Sequence, residues 1–265
     1  MTDPNNRAKW YTLSREHFRK VAQKYDGGRA LKQLQGDFWA QEIAANVTLS
    51  SQARLLDVGC GTGLLTLPIA QALPCWVYGV EPSAAMLSQA RAHPESARVR
   101  WVQGQAEQIA FSSESVGAIF ISQVWHHLDD GLAVAREFYR LLQPGGVLFI
   151  KTFSHAQLRT RWDITKVFPT LLAFMLDIYP DISQFESILH QAGFPQVDNR
   201  SYQKDAALRP SELLRIAEDK AWSMFSYLSE EEYQRGKTLL RQQITETNDA
   251  PVAYPEFHLL VIARK

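Results

Sequence analysis

The segment Leu55-Leu56-Asp57-Val58-Gly59-Cys60-Gly61-Thr62-Gly63 constrains this chain more than any other. A short apolar run broken by one acid passes directly into a turn with glycines at alternate positions, and a helical pattern opens near Leu64. An almost wholly apolar strand reads as one buried on both faces, as in a parallel sheet between helices. The glycines permit positive φ and let a ligand approach the backbone closely. The N-terminus of the following helix offers unpaired N–H groups to an anionic group.

The alternation continues along the chain. Apolar runs at Arg54 to Val58, Trp76 to Val80, Val99 to Val102, Ala118 to Ile121 and Val147 to Phe153 are predicted strands. Helices are predicted from Leu64 to Leu73, from Ser83 (a capping residue) to His93, and from Asp130 to Leu142, with Asp129-Asp130 as the cap and Pro144-Gly145-Gly146 as the following turn. This rhythm predicts a parallel sheet covered by helices on both faces. Before it, Leu31, Leu34, Phe38 and Ile43 recur near helical spacing between Arg29 and Val47. After it, helical patterns at His155 to Phe174, Ser183 to Ala192 (ended by Gly193), Ser211 to Tyr227 and Ser229 to Thr247 surround strands at Val197 to Tyr202 and Phe257 to Ala263. The reading is one compact domain: an N-terminal helical segment, 1–50; a ligand-binding core, 51–153; a helical insertion, 154–195; and final strands, 196–265, with an insertion at 208–248.

Among the 265 residues, 28 basic side chains balance 28 acidic ones, so no global field draws in nucleic acid or an anionic membrane. Cys60 and Cys75 form no CxxC pair and no zinc-type cluster; reduced thiols and no metal are expected. The polar start has no signal-like stretch and no segment reaches the apolar length of a membrane span, so the expected location is cytoplasmic.

The glycine turn suits more than one nucleotide ligand. A dinucleotide fingerprint needs GxGxxG, but Leu64 stands at its third glycine position and the glycines fall as GxGxG. Asp57, just before the turn, would repel a pyrophosphate, yet it would pair with the ammonium of a methionine-derived ligand. Glu81, at the end of the second strand, is placed to accept hydrogen bonds from a ribose diol, a role found in both ligand classes.

With LLDVGCGTG, the acid in GVEPSAAM, the GQAEQIAF segment and LLQPGG in this order, Arg54 to Phe153 resembles the class I S-adenosylmethionine-dependent methyltransferases. FRKVAQKYDGG and SQVWHHLDD bring the chain nearest to the broad group that includes quinone-biosynthesis C-methyltransferases and natural-product O- and N-methyltransferases. The resemblance implies an α/β fold: a Rossmann-like, seven-stranded, mostly parallel sheet with helices on both faces, its N-terminal and C-terminal helical insertions forming a lid. It implies S-adenosylmethionine as cofactor, S-adenosylhomocysteine as product and no metal. Asp57, Gly59, Cys60 and Gly61 would line the methionine moiety, with Ser122 also at the cofactor, and Glu81 would hold the ribose. Pro82 and Met86 would flank the adenine, with Gln105, Ala106 and Glu107 near its edge. Gln105 stands where the family often has Asp, and Val116-Gly117 where it commonly has Phe-Asp.

Methyl transfer from a sulfonium is an in-line displacement that rests on positioning and exclusion of water, and a base is needed only where the acceptor must lose a proton. His126 and His127, at the carboxyl end of the fourth strand, are candidate bases, or else structural parts of the turn. Tyr11, Tyr25, Trp125, His155 and Trp162 are candidate substrate-binding residues, within a wider set including Phe18, Phe168, Trp222, Phe225 and Tyr227 whose helical spacing equally fits core packing. Arg159 and Arg161 fit a solvated face or an acceptor carboxylate. The expected acceptor is a small apolar or aromatic molecule, without nucleic-acid or membrane partners. Methylation of nucleic acid or protein is the alternative, opposed by the balanced charge and the lack of an Asn/Asp-Pro-Pro-Tyr-type motif. A non-catalytic cofactor-binding protein and an NAD-dependent oxidoreductase are the remaining readings.

Overall fold

Leu55 and Leu56 point to opposite faces of the same strand, and both are fully buried. That is possible only where helices cover both faces of the sheet. The computed structural model describes residues 10, 12–13, 16–18, 22, 36–160 and 162–265, and it arranges them in this way. Strands β1 (Arg54–Val58), β2 (Trp76–Glu81), β3 (Val99–Gln103), β4 (Val116–Ser122), β5 (Leu142–Thr152), β6 (Gln196–Leu208) and β7 (Val252–Arg264) form one sheet in the order β3-β2-β1-β4-β5-β7-β6. Strands β1 to β5 pair in parallel; β7 runs antiparallel to both β5 and β6. The strand order reverses between β1 and β4, and open α/β sheets bind ligands beyond the strand ends at that switch point.

On one face, Leu56, Ile119, Ile121, Leu148 and Ile150 pack under α4 (Gly131–Leu141) and α8 (Ile182–Ala192) through Val134, Phe138, Phe185 and Leu189. On the other, Leu55, Phe120, Phe149 and Ile262 pack under α1 (Gly36–Asn46) and α2 (Thr66–Ala72) through Trp39, Ile43 and Ile69. Each such large side chain, withdrawn from water, stabilises the sheet by about 1.5–3 kcal/mol. Helix α3 (Ala84–Ala92) starts where Ser83 Oγ accepts the Met86 N–H at 3.3 Å. Helix α4 starts where Asp130 Oδ1 accepts the N–H groups of Leu132 and Ala133, both at 3.0 Å. Gly193 closes α8 at φ +110°.

A third apolar cluster lies in the two insertions. Helices α5 (His155–Thr160), α6 (Trp162–Thr165) and α7 (Thr170–Ile178) contribute Leu158, Ile164, Leu171 and Met175. Helices α9 (Pro210–Glu218) and α10 (Glu230–Glu246) contribute Leu213, Ala217, Tyr233 and Leu240. Trp10 and Phe168 join the same cluster, so the two insertions share one core. Glu232 of α10 accepts from the backbone N–H and the hydroxyl of Thr170 (3.1 and 2.5 Å) and so caps α7 from the other insertion.

Three expectations need correction. The stretch from His155 to Phe174 is not one helix: it breaks before Thr170, where Pro169 forms the N-cap of α7. The stretch from Ser211 to Tyr227 ends as a helix at Glu218 and resumes only as a 3-10 turn at Ser223–Ser226. The weak strand at Val197 to Tyr202 extends to Leu208, because β7 pairs with it residue by residue as far as Val252. Residues 29–35 of the first expected helix lie outside the described residues. No helix among the described residues is long and apolar enough to cross a membrane.

Candidate active site

The loop after β1 is shaped by the end of β2. The N–H groups of Gly59 and Cys60 donate to the Val80 carbonyl (2.7 and 3.2 Å), and Gly63 N–H donates back to the Cys60 carbonyl at 3.0 Å. Gly59, Gly61 and Gly63 have φ of +72°, +57° and +85°. A Cβ at Gly59 would drive into Val124, and one at Gly63 would come within 2.6 Å of Trp101. At Gly61 only the Met86 methyl lies nearby, at 4.0 Å, so this glycine leaves open space. The side chain of Glu81 ties the two strand ends together, its Oε2 accepting the Gly61 N–H at 3.1 Å and its Oε1 the Ser83 N–H at 2.9 Å.

A cavity of about 660 Å³ opens above the sheet at these strand ends, within the range of small-molecule sites. The sequence candidates Gly59, Gly61, Glu81, Pro82, Met86, Gln105, Ala106, Glu107, Ser122 and His127 all line it. So do Phe18, Gln123, Val124 and Leu128. The structure therefore brings together residues from the ends of all four strands β1 to β4.

Asp57 and Cys60 are placed beneath this wall, not in it. Asp57 is 3% exposed, and its Oδ2 accepts the Thr66 hydroxyl at 2.6 Å. Burial pushes its carboxyl up to about 7; the Thr66 hydrogen bond offsets part of that and the charge of Glu81 adds to it. Burial also raises Glu81, against the two N–H groups that favour its ionised form. The Cys60 thiol is pushed up by burial and by both carboxylates. Among the described residues no Lys or Arg pairs with Asp57 or Glu81. Two buried carboxyls without a protein cation, beside a cavity at a strand switch point, fit a cationic ligand whose hydroxyls face Glu81. The site thus suits S-adenosylmethionine, an amino acid sulfonium carrying a ribose. No group of three or more His, Cys, Asp or Glu among the described residues is arranged to hold a metal ion.

The two histidines occupy the 3-10 turn Trp125–His127 and face different surroundings. His127 lines the cavity, its ring stacked on Trp10 at 5.3 Å with the edge of Phe18 at 5.1 Å. His126 is buried away from it, stacked on Tyr179 at 4.0 Å with Nε2 3.2 Å from the Tyr179 hydroxyl. Two further candidates are not brought to the cavity. Trp125 packs into the core against Phe185 and over Gly131, which leaves it no surface for an acceptor. His155 is held 2.7 Å from the Tyr179 carbonyl through Nε2, and its N–H donates to Asp181 at 3.3 Å, so it fastens the start of α5 to the end of α7. Tyr11, Tyr25, Arg161 and the side chain of Trp162 lie outside the described residues.

Sequence reasoning passed over Gln123 and Val124. The signal available for them was position alone: they follow β4 directly, on one side of the switch point.

Residues 56–150 match a family described as methyltransferase domain. The chain is 31% identical over 203 residues to a 2-phytyl-1,4-naphtoquinone methyltransferase of Thermosynechococcus vestitus, covering 68% of this chain and 89% of that one. It is 33% identical over 138 residues to a demethylmenaquinone methyltransferase of Mycobacterium sp. (strain KMS), covering 52% of this chain and spanning only 58% of that relative's length. A solved structure, a putative methyltransferase from an antibiotic biosynthesis pathway of Anabaena variabilis, superposes with a TM-score of 0.69 at 21% identity, over 84% of this chain and 95% of its own. That likeness concerns the fold.

Proposed function

This chain belongs to the class I S-adenosylmethionine-dependent methyltransferases, and from that premise we propose that it transfers a methyl group to a small organic acceptor, apolar or aromatic in character. The observation that carries the proposal is one cavity lined by the buried carboxyl of Glu81, with that of Asp57 beneath the wall, and by His127, Phe18, Val124 and Leu128. When bound, S-adenosylmethionine supplies a methyl group made electrophilic by the sulfonium.

The remaining work falls to the chain's own residues. Glu81 keeps a lone pair on each oxygen beyond its two backbone bonds and accepts from the ribose hydroxyls. Asp57 stabilises the ligand's ammonium by its charge from beneath the glycine loop, and Gly59 and Gly61 let the methionine portion lie against the backbone. Pro82, Met86, Gln105, Ala106 and Glu107 enclose the adenine. Phe18, Val124 and Leu128 exclude water from the transfer path, which shortens and aligns the approach of the acceptor. His127 takes a proton from an acceptor that must lose one, whereas His126, turned toward Tyr179, keeps a structural task. The naming of a relative as a 2-phytyl-1,4-naphtoquinone methyltransferase supports testing naphthoquinone-type rings first among acceptors.

The test is a turnover screen that follows S-adenosylhomocysteine release across quinols, phenols, amines and carboxylates, paired with calorimetric titration of S-adenosylhomocysteine and NAD. Saturable binding of S-adenosylhomocysteine with turnover on an aromatic acceptor is expected. Saturable NAD binding with no response to S-adenosylhomocysteine refutes the proposal.

A further inference from the structure

We propose that the side-chain amide of Gln123 donates a hydrogen bond to an oxygen atom on the methyl acceptor, and that Tyr179 and His126 are positioning residues that aim it. The proposal deepens the function above and rests on it. Gln123 lines the cavity immediately after β4, between Ser122 and Val124 and four residues before the turn's His127 completes the same wall. Its backbone is held at φ +57°, a conformation uncommon for a residue with a side chain, and its N–H donates to the Lys151 carbonyl at 2.9 Å. Such strain persists where the surroundings fix it, and it gathers at ligand sites.

The polar atoms of the side chain have unequal fates. Oε1 accepts the Tyr179 hydroxyl at 3.2 Å, whereas Nε2 is buried and has no partner among the described residues. A buried amide N–H group without a partner is rare in a native protein, and a ligand oxygen is a partner that would satisfy it. The Tyr179 hydroxyl has a single proton, and with that proton given to Gln123 it accepts from His126 Nε2, 3.2 Å away. With the Tyr179 hydroxyl donating to Oε1, the chain His126, Tyr179, Gln123 runs in one direction and leaves the NH2 for the ligand. Tyr179 closes α7, so the relay also ties the helical insertion to the wall of the cavity. An acceptor with a carbonyl, phenol or phenolate oxygen satisfies the orphan N–H group; a plain hydrocarbon ring leaves it unpaired.

The experiment compares 1-naphthol with naphthalene as probes, binding each to the protein saturated with S-adenosylhomocysteine and reading the ratio of affinities. The parent is expected to prefer 1-naphthol, and Gln123→Ala to shrink that preference about tenfold, the worth of one lost hydrogen bond. Gln123→Gly, which keeps the positive φ, is the second variant should Gln123→Ala fold poorly, and it is expected to do the same. Tyr179→Phe is expected to reduce the preference by about threefold to tenfold and to change the tautomer of His126, read from its ring 15N shifts; packing loss alone does not produce that change. A preference that survives removal of the amide overturns the proposal, as does a parent that binds S-adenosylhomocysteine yet takes up 1-naphthol no better than naphthalene. A parent that does not bind S-adenosylhomocysteine refutes the methyltransferase reading itself.

Discussion

Replacing Asp57 by Asn is expected to stabilise the ligand-free protein and to disable it at the same time. The carboxyl is pushed from 3.8 up to about 7, chiefly by burial. A shift of about three pH units, at about 1.4 kcal/mol per unit, makes the ionised form cost up to about 4 kcal/mol in the folded state. Because the folded pKa lies above the unfolded one, the folded protein holds a proton that the unfolded chain has already released between about pH 4 and pH 7. The unfolded state therefore binds fewer protons in this window, and stability falls as pH rises through it and stays lowered above it. An amide keeps the Thr66 hydrogen bond but brings an NH2 group that needs a partner, so the net gain at about pH 8 is expected to be about 1–3 kcal/mol. Binding should run the other way. The ionised carboxylate is the form that attracts an ammonium, so the parent's affinity for S-adenosylhomocysteine should weaken about tenfold per pH unit below about pH 7. In Asp57→Asn that dependence should vanish along with most of the affinity. Urea unfolding from about pH 5 to about pH 8.5, with calorimetry at about pH 6 and about pH 8, measures both halves. If the parent and the variant show parallel stability curves across the window, the buried carboxyl is not the titrating group and the reasoning fails.

Glu81→Gln should weaken S-adenosylhomocysteine about 10-fold to 100-fold in the same titration, because charge-assisted hydrogen bonds contribute about 1.5–3 kcal/mol; an unchanged affinity removes it from the ribose site. Gly61→Ala meets only the Met86 methyl at 4.0 Å, so its stability cost in urea should stay near about 1 kcal/mol from φ alone, while the added methyl blocks the ligand. Gly236→Ala places a Cβ in the Phe168 ring between α10 and the first insertion and should lower stability by about 1–3 kcal/mol. On a confirmed acceptor, His127→Ala should alter the pH dependence of turnover through its place in the cavity wall; a profile identical to the parent's makes this histidine structural.

The part of the candidate site around the glycine turn was legible in the sequence because its elements are local. Strand, glycine turn and helix are contiguous from Leu55 onward, Glu81 ends the next strand, and Ser83 and Asp130 cap helices within three residues of themselves. The proposed acceptor half depends on contacts across long stretches of chain. Gln123 and Tyr179 are 56 residues apart, and two adjacent histidines face different ways because both sit within one tight 3-10 turn, which no periodicity reveals. The length of β6 was hidden for a related reason: most of its residues are exposed, and its hydrogen bonds to β7 hold it extended without an apolar pattern. Trp125 packs inward because an aromatic beside a strand end has as much reason to point into the core as into a cleft.

The position of β7 between β5 and β6 has a consequence for how the chain is made. Synthesis delivers β6 before β7, yet in the finished sheet β5 and β6 are joined through β7, which pairs with both. A nascent chain that has emerged only as far as Leu208 therefore has an open edge on β5 and a polar ribbon without a ladder, and it must wait through the second helical insertion before the sheet closes. Open strand edges invite pairing with other chains. Assembly of the parallel half is thus separable in time from the closing of the sheet by β7, which joins β5 to β6 in one step.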